Sequence, residues 1–316
     1  DSKETATSIA KEIGIRTSNN DKVLSSSDLE KLSDKKIKKI IPNLKVVSRA
    51  LPEDKKRLVM LSKELGLVTG MTGDGVNDSI ALKKADVSFA MGSGTEVSKE
   101  ASDIVIIDDN ILSISRAILY GRTTFKNIRK FIIFQLTVNI SAIMLALIGP
   151  FIGVPSPITV LQMLWINMVM DTLAGLAFSY EVPRIEYMKE PPKKKEENII
   201  NKYMFNEIIA TSMYTLIISL LFLKLPFIQY IISYDHLMTA FFSLFIFIAV
   251  FNSFNARTHR LNILAHLKEN KVFILIIIFI IIVQIIIIYS GITLFQTKPL
   301  YIKELIFILI LSLSII

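Results

Sequence analysis

The sequence predicts two architectures in series, an α/β part and then an all-α membrane part. Two observations carry this. Up to about Ile118 the composition is charged and mixed, and beyond Phe131 it breaks into long apolar spans, the mark of a polytopic membrane protein. Within the first stretch, short β-branched runs alternate with helical patterns, which implies a doubly wound parallel sheet. The chain therefore divides into 1–117 and 118–316.

The elements follow in order. Ser2 to Gly14 places Ala6, Ile9, Ala10 and Ile13 at helical spacing and stops at Gly14, a common C-terminal signal. Ser25 to Lys39 reads as a charge-rich helix pair, with Ser27 and Glu30 spaced as a capping box. Val46-Val47 predicts a short strand. Pro52 suits the first turn of a helix that runs through Leu58, Leu61 and Leu65 to Gly66. Leu67-Val68 predicts a buried strand, as do Val87–Ala90 and Ile104–Ile107, the last two joined by a helix from about Glu96. From Ile111 a helix bearing Arg116, Arg122, Lys126, Arg129 and Lys130 leads into the apolar spans. About six are expected, near 131–149, 157–178, 205–223, 237–254, 272–290 and 302–316.

The formal net charge is +8, which raises nucleic acid as a partner. The cations cluster between apolar spans instead, as positive-inside topology requires, so membrane lipid is expected and nucleic acid is not. Lys126 to Lys130 precede the first span. Arg184, Lys189, Lys193, Lys194, Lys195 and Lys202 follow the second, and Arg257, Arg260, Lys268 and Lys271 the fourth. These loops should be cytoplasmic, together with the first 117 residues. The lysines after Pro191-Pro192 could also meet anionic lipid, but topology is the simpler account. Without cysteine, disulfides and thiolate metal sites are excluded.

The densest chemistry is in Thr72-Gly73-Asp74-Gly75-Val76-Asn77-Asp78. Glycines permit backbone shapes that turn amides inward. Asp74 and Asp78, at the carboxyl end of a strand, offer hard oxygens that suit magnesium.

This run resembles the hinge motif of P-type ATPases, whose phosphorylation domain belongs to the haloacid dehalogenase superfamily. The similarity continues through Ala81-Leu82-Lys83-Lys84-Ala85-Asp86, Ala90-Met91-Gly92, Glu100-Ala101-Ser102-Asp103 and Asp108-Asp109-Asn110. The resemblance implies that 1–117 is the later part of such a Rossmannoid domain. It implies Asp74, Asn77 and Asp78 at a magnesium site, Lys55 on the transferred phosphoryl group, and Thr72, Gly73 and Gly75 lining the ATP-derived phosphate. Asp1 matches the end of a Thr-Gly-Asp turn, and no Asp-Lys-Thr-Gly-Thr string with its nucleophile is present. A missing amino-terminal half is thus the expected partner, and this chain alone should be inactive.

Asp171 lies at mid-span, where a carboxylate costs about 2.5–3.5 kcal/mol on insertion scales. It needs a partner or an ion. Asn167 is four residues earlier, hence expected on the same helix face, and Gly175 should permit local unwinding. Asn139 is near mid-depth of the first span with Gln135 one turn below. Interhelical hydrogen bonding is the competing account; it is preferred for Gln135, and ion binding for Asn139, Asn167 and Asp171. The stretches Phe134–Asn139 and Leu161–Asp171 resemble calcium-transporting ATPases, most closely the plasma-membrane type. Ala142, Met170 and Ala249 stand where two-site calcium pumps carry oxygen ligands. The resemblance implies export of one calcium per cycle from the cytoplasm. Manganese or sodium transport, and a catalytically incomplete remnant or split-pump subunit, are the alternatives.

Overall fold

Strands and helices alternate through the first 110 residues, and every strand pairing is parallel. The computed structural model describes residues 2–154, 157–194, 196–258, 262–291 and 293–316; Asp1, Lys195 and Arg260 of the sequence reading lie outside the described residues. The chain forms two units: Asp1–Leu119 with Met188–Glu197, and Tyr120–Tyr187 with Asn198–Ile316.

In the first unit, α1 (Lys3–Glu12) is capped by the Ser2 hydroxyl, which accepts from the Thr5 N–H at 3.2 Å. Gly14 ends it in the left-handed region at φ 76°, where a side chain would be strained. Strand β1 (Lys22–Ser25) pairs with β2 (Leu44–Ser48) across the short helices α2 (Ser26–Glu30) and α3 (Asp34–Ile40). The capping box before α2 is formed by Ser25 and Asp28 rather than Ser27 and Glu30. Helix α4 (Pro52–Glu64) starts at Pro52 as expected, because proline has no N–H to leave unpaired there. Leu61 of α4 buries against Leu29 and Ile37, and the Arg57 guanidinium donates to the Leu29 and Leu32 carbonyls and to Asp34.

A second sheet holds β3 (Gly70–Gly73), β4 (Val87–Met91) and β5 (Ile104–Ile106) in that order. Helices α5 (Ser79–Lys84) and α6 (Glu96–Ala101) are the crossovers. Two separate sheets thus replace the single sheet expected. Strand β3 begins after Leu67, which is 47% exposed. The Asp86 carboxylate accepts from the N–H and hydroxyl of Thr69, and those bonds fix where the chain enters the sheet. In β5 only Ile106 is buried, so the expectation of a buried strand holds at one end of it.

Among the described residues, five helical stretches are long and apolar enough to cross a membrane: Ile111–Ile152, Val160–Ser179, Lys202–Lys224, Tyr234–Arg257 and Lys271–Tyr289. The first contains α7 (Ile111–Ile148). The second is broken into α8 (Val160–Leu164), a π-helical turn (Trp165–Met170) and α9 (Asp171–Ser179). Then come α10 (Lys202–Lys224), the short α11 (Pro226–Ile231), α12 (Leu237–Arg257) and α13 (Lys271–Tyr289). The sixth expected span holds α14 (Ile302–Ser312), whose 11 residues fall short of the ~20 a crossing needs. Helix α12 is buried nearly all round and packs against α10, α13 and α14. Its Phe-rich sequence requires that, because a helix apolar on every face belongs inside a bundle.

Candidate functional site

The Thr72–Asp78 run leaves the carboxyl end of β3, the edge at which parallel sheets bind ligands. Its backbone is held from the next crossover. The Asp74 carbonyl accepts from the Thr95 N–H at 2.8 Å and the Ser98 hydroxyl at 3.2 Å. That leaves the Asp74 side chain exposed, and it has no partner among the described residues. The chain then makes one 3-10 turn, Val76–Asp78, closed by the Asp78 N–H on the Gly75 carbonyl at 3.0 Å. Asn77 points outward and Asp78 inward.

Asp78 is 6% exposed, and its carboxylate accepts from Lys55 Nζ at 2.5 Å. Lys55 comes from the first turn of α4, a turn set by Asp54, which accepts from the Leu51 N–H and the Ser26 hydroxyl. Asp78 and Lys55, 23 residues apart, are therefore brought together. Asp78 is paired with an ammonium through one carboxylate oxygen, whereas the Asp74 carboxylate has no partner among the described residues. Among the described residues no group of three or more His, Cys, Asp or Glu side chains could hold an ion.

Gly73 is required by contact rather than by φ. A Cβ there would lie 2.5 Å from Asp78 Cβ and 2.8 Å from the carboxyl carbon. Gly73→Ala is expected to push Asp78 off Lys55 and to destabilise the protein by about 1–3 kcal/mol, the usual cost of overpacking. A thermal melt of the variant equal to that of the parent would show that the turn relaxes freely.

In the second unit Asp171 opens α9, and its side chain is 2% exposed with neither carboxylate oxygen hydrogen-bonded. An ionised carboxylate is tolerated in such a place only beside a positive charge. Just before it, the π-helical turn from Trp165 to Met170 pairs residues five apart, a distortion often found at functional positions. The wider turn breaks the four-residue alignment, so Asn167 is exposed while Ile166 and Met170 are buried. Asn167 and Asp171 do not share a face, contrary to the spacing argument. Nor is Gly175 the point of unwinding: it lies inside regular α9, and a Cβ there would sit 3.3 Å from the Phe131 ring. Asn139 is half-buried on α7 without a hydrogen bond among the described residues. Near it, Ser212 of α10 donates to the Thr137 carbonyl at 3.2 Å. Ala142, Met170 and Ala249 are buried and offer no side-chain oxygen.

The sequence reading missed one cluster, built on Glu181 just past α9. Its carboxylate, 2% exposed, meets Lys130 of α7 at 3.3 Å, Arg257 of α12 at 3.4 Å and Arg184 at 3.8 Å. Asn270 Nδ2, at the start of α13, donates to Glu181 at 3.0 Å and to the Ala177 carbonyl at 3.1 Å. Burial alone would raise the Glu181 carboxyl, but Lys130, Asn270 and Arg257 outweigh it and hold it below the usual glutamate range. Arg257 was visible in the sequence only as one more basic loop residue.

Comparisons with known proteins agree on kinship. Residues 155–316 match the family described as the C-terminus of cation transporting ATPases. The chain is 39% identical to calcium-transporting ATPase 2 of Schizosaccharomyces pombe over 93% of its own length and 23% of the relative's. It is 38% identical to the probable plasma membrane-type calcium-transporting ATPase 8 of Oryza sativa subsp. japonica, over 95% of this chain and 30% of that protein. Identity is 40% to the plasma membrane calcium-transporting ATPase mca-1 of Caenorhabditis elegans, over 90% and 24%. The chain thus spans less than a third of the length of these relatives.

Proposed function

Because the chain belongs to the cation-transporting ATPase family, we propose that it works as the carboxyl-terminal portion of an ATP-driven pump. The pump exports calcium from the cytoplasm across the plasma membrane. The observation that carries this reading is Asp171, a buried carboxylate with both oxygens unpartnered, set in a helix interrupted by a π turn. A buried carboxylate without a protein partner is suited to a transported cation, which would supply the missing positive charge. The names of the relatives point to calcium. Calcium takes six to eight oxygens, so Asp171 with Asn139 would supply only part of the shell, the remainder coming from water and other segments of the pump, while Asn167, which faces away from Asp171, is left out of it. Ala142, Met170 and Ala249 favour a single ion per cycle.

The first unit is then the later part of a haloacid dehalogenase-like phosphorylation domain, with a boundary near residue 117. Parallel strands with the Thr72–Asp78 turn at their carboxyl edge support this. Asp74 would hold magnesium, which neutralises charge on the transferred phosphoryl group. Lys55, steadied by Asp78, would reach the phosphoryl oxygens from α4, and Asn77 would order the outer side of the site. Thr72, Gly73 and Gly75 keep the floor of the turn narrow enough for a phosphate to approach. The phosphorylated aspartate would lie in the remainder of the pump, along with nucleotide binding. The basic loops support a cytoplasmic position for this unit.

Labelling native membranes with γ-phosphate-labelled ATP, with and without calcium, tests the proposal. A calcium-dependent, hydroxylamine-sensitive band recognised by an antibody against this chain is expected. An antibody-positive band that never takes label would overturn it.

A further inference from the structure

We infer that Glu181 is the positioning residue of the ion site, setting the relative register of the helices that carry Asn139 and Asp171. The inference rests on the reading of those two residues as ion ligands. Helix α9 runs regularly from Asp171 to Ser179 and ends two residues before Glu181. Helix α7 runs regularly through both Lys130 and Asn139. At 1.5 Å per residue the eight helical steps from Ser179 back to Asp171 span about 12 Å, and Tyr180 and Glu181 add a short non-helical extension. The nine from Lys130 forward to Asn139 span about 13.5 Å. The two helices are joined where Lys130 meets the Glu181 carboxylate, so the two arms bring Asn139 and Asp171 to nearly the same depth. A slip of one turn at the joint would separate them.

On the other side of Asp171 the nearest anchor among the described residues is Gln162 of α8, which donates to the Phe295 carbonyl at 2.9 Å, beyond an irregular turn. There the chain enters the π-helical turn, whose looser pairing adjusts more readily than a regular helix. The rigid arm is therefore the one that ends at Glu181. Further contacts converge on that point. Asn270 joins the Glu181 carboxylate to the Ala177 carbonyl at the end of α9. Arg257 ties it to α12 while donating to the carbonyls of Ile263 and Ala265 at 2.9 and 2.7 Å. Asn127 Nδ2 approaches the Glu181 carbonyl at 3.4 Å. One carboxylate thus faces three cations, Lys130, Arg184 and Arg257. Neutralising it leaves those cations to repel one another at the joint, without touching the ion site itself.

The test uses the full-length pump containing this chain, expressed in membranes free of other calcium pumps. Glu181→Gln, Glu181→Gln with Lys130→Gln, and Asp171→Asn are compared in two assays. One is phosphorylation from ATP as a function of calcium; the other is phosphorylation from inorganic phosphate without calcium. Glu181→Gln is expected to raise the calcium needed for half-maximal labelling by about tenfold or more, since a misplacement of about 1 Å caused far from a site can cost on the order of a hundredfold. Its labelling from phosphate should stay at the parental level, and Lys130→Gln should recover much of the lost affinity by removing a repelling cation. An unchanged calcium dependence in Glu181→Gln, with Asp171→Asn inactive, overturns the positioning role alone. Equal loss in both assays without recovery in the double variant also overturns it, since that marks general unfolding. If Asp171→Asn itself keeps the parental calcium dependence, the reading of the ion site fails first.

Discussion

Asp171→Asn is expected to abolish calcium-dependent phosphorylation of the pump while leaving its membrane insertion as good as, or better than, that of the parent. The two halves of this expectation have opposite signs, and that is what makes the variant informative. A mid-span carboxylate costs about 2.5–3.5 kcal/mol to insert on translocon scales, and the amide of the same shape costs less. If Asp171 served folding alone, the amide would be an improvement with no penalty. As an ion ligand, it contributes a full negative charge in a place where both oxygens are buried and without a protein partner. Removing one partner of a buried charge pair costs roughly 3–5 kcal/mol, which corresponds to more than a hundredfold loss of ion affinity at 1.4 kcal/mol per decade. Calcium titration of phosphoenzyme formation, with surface or membrane abundance measured in the same cells, reads both halves. A variant that inserts well and responds to calcium like the parent would take Asp171 out of the site.

Much of the first unit is legible in the sequence because its signals are local. Pro52 and Gly66 bracket α4 through the special backbone of each residue, and the strands at Val46-Val47 and Val87–Ala90 fall where β-branched and aromatic residues cluster. Where two local signals compete, the sequence is ambiguous. Ser25-Asp28 and Ser27-Glu30 both have capping-box spacing, and Ser25, the last residue of β1 paired to β2, is the one that caps the helix. The Thr72–Asp78 turn was legible as a motif at the carboxyl end of a strand, yet the different surroundings of its two carboxylates were not. That difference depends on Lys55, 23 residues away, and on the absence of a side chain at Gly73. The membrane part shows the same limit more sharply. Apolar length predicts the spans, but the 3.6-residue rule assumes an unbroken helix. The π turn violates that assumption between Asn167 and Asp171, so Asn167 turns outward. The Glu181 cluster draws on residues from four separate helical regions, and no spacing rule links Lys130 to Asn270.

Asp74→Ala should eliminate phosphoryl transfer without a measurable change in stability, and the contrast with Lys55→Met makes the case. The fold holds Asp74 through its carbonyl, which accepts from Thr95 and Ser98, and those bonds survive truncation of the side chain. The carboxylate itself is exposed and unengaged, so its removal belongs with surface substitutions, which stay within about 0.5 kcal/mol. Its proposed work is confined to the reaction, where loss of a preorganised charge at a transferring phosphoryl group costs on the order of a hundredfold or more in rate. Lys55→Met behaves differently because Lys55 has a partner. It leaves the Asp78 carboxylate, 8% exposed, with no counter-charge, so stability falls along with turnover. Measured side by side by thermal denaturation and ATP-driven calcium uptake, Asp74→Ala should separate the two properties and Lys55→Met should couple them. If Asp74 were only a turn residue, Asp74→Ala would transport calcium at the parental rate. If it were instead a hidden structural anchor, its melt would shift as Lys55→Met's does. An unshifted melt together with lost uptake is the combination that a magnesium-holding carboxylate produces.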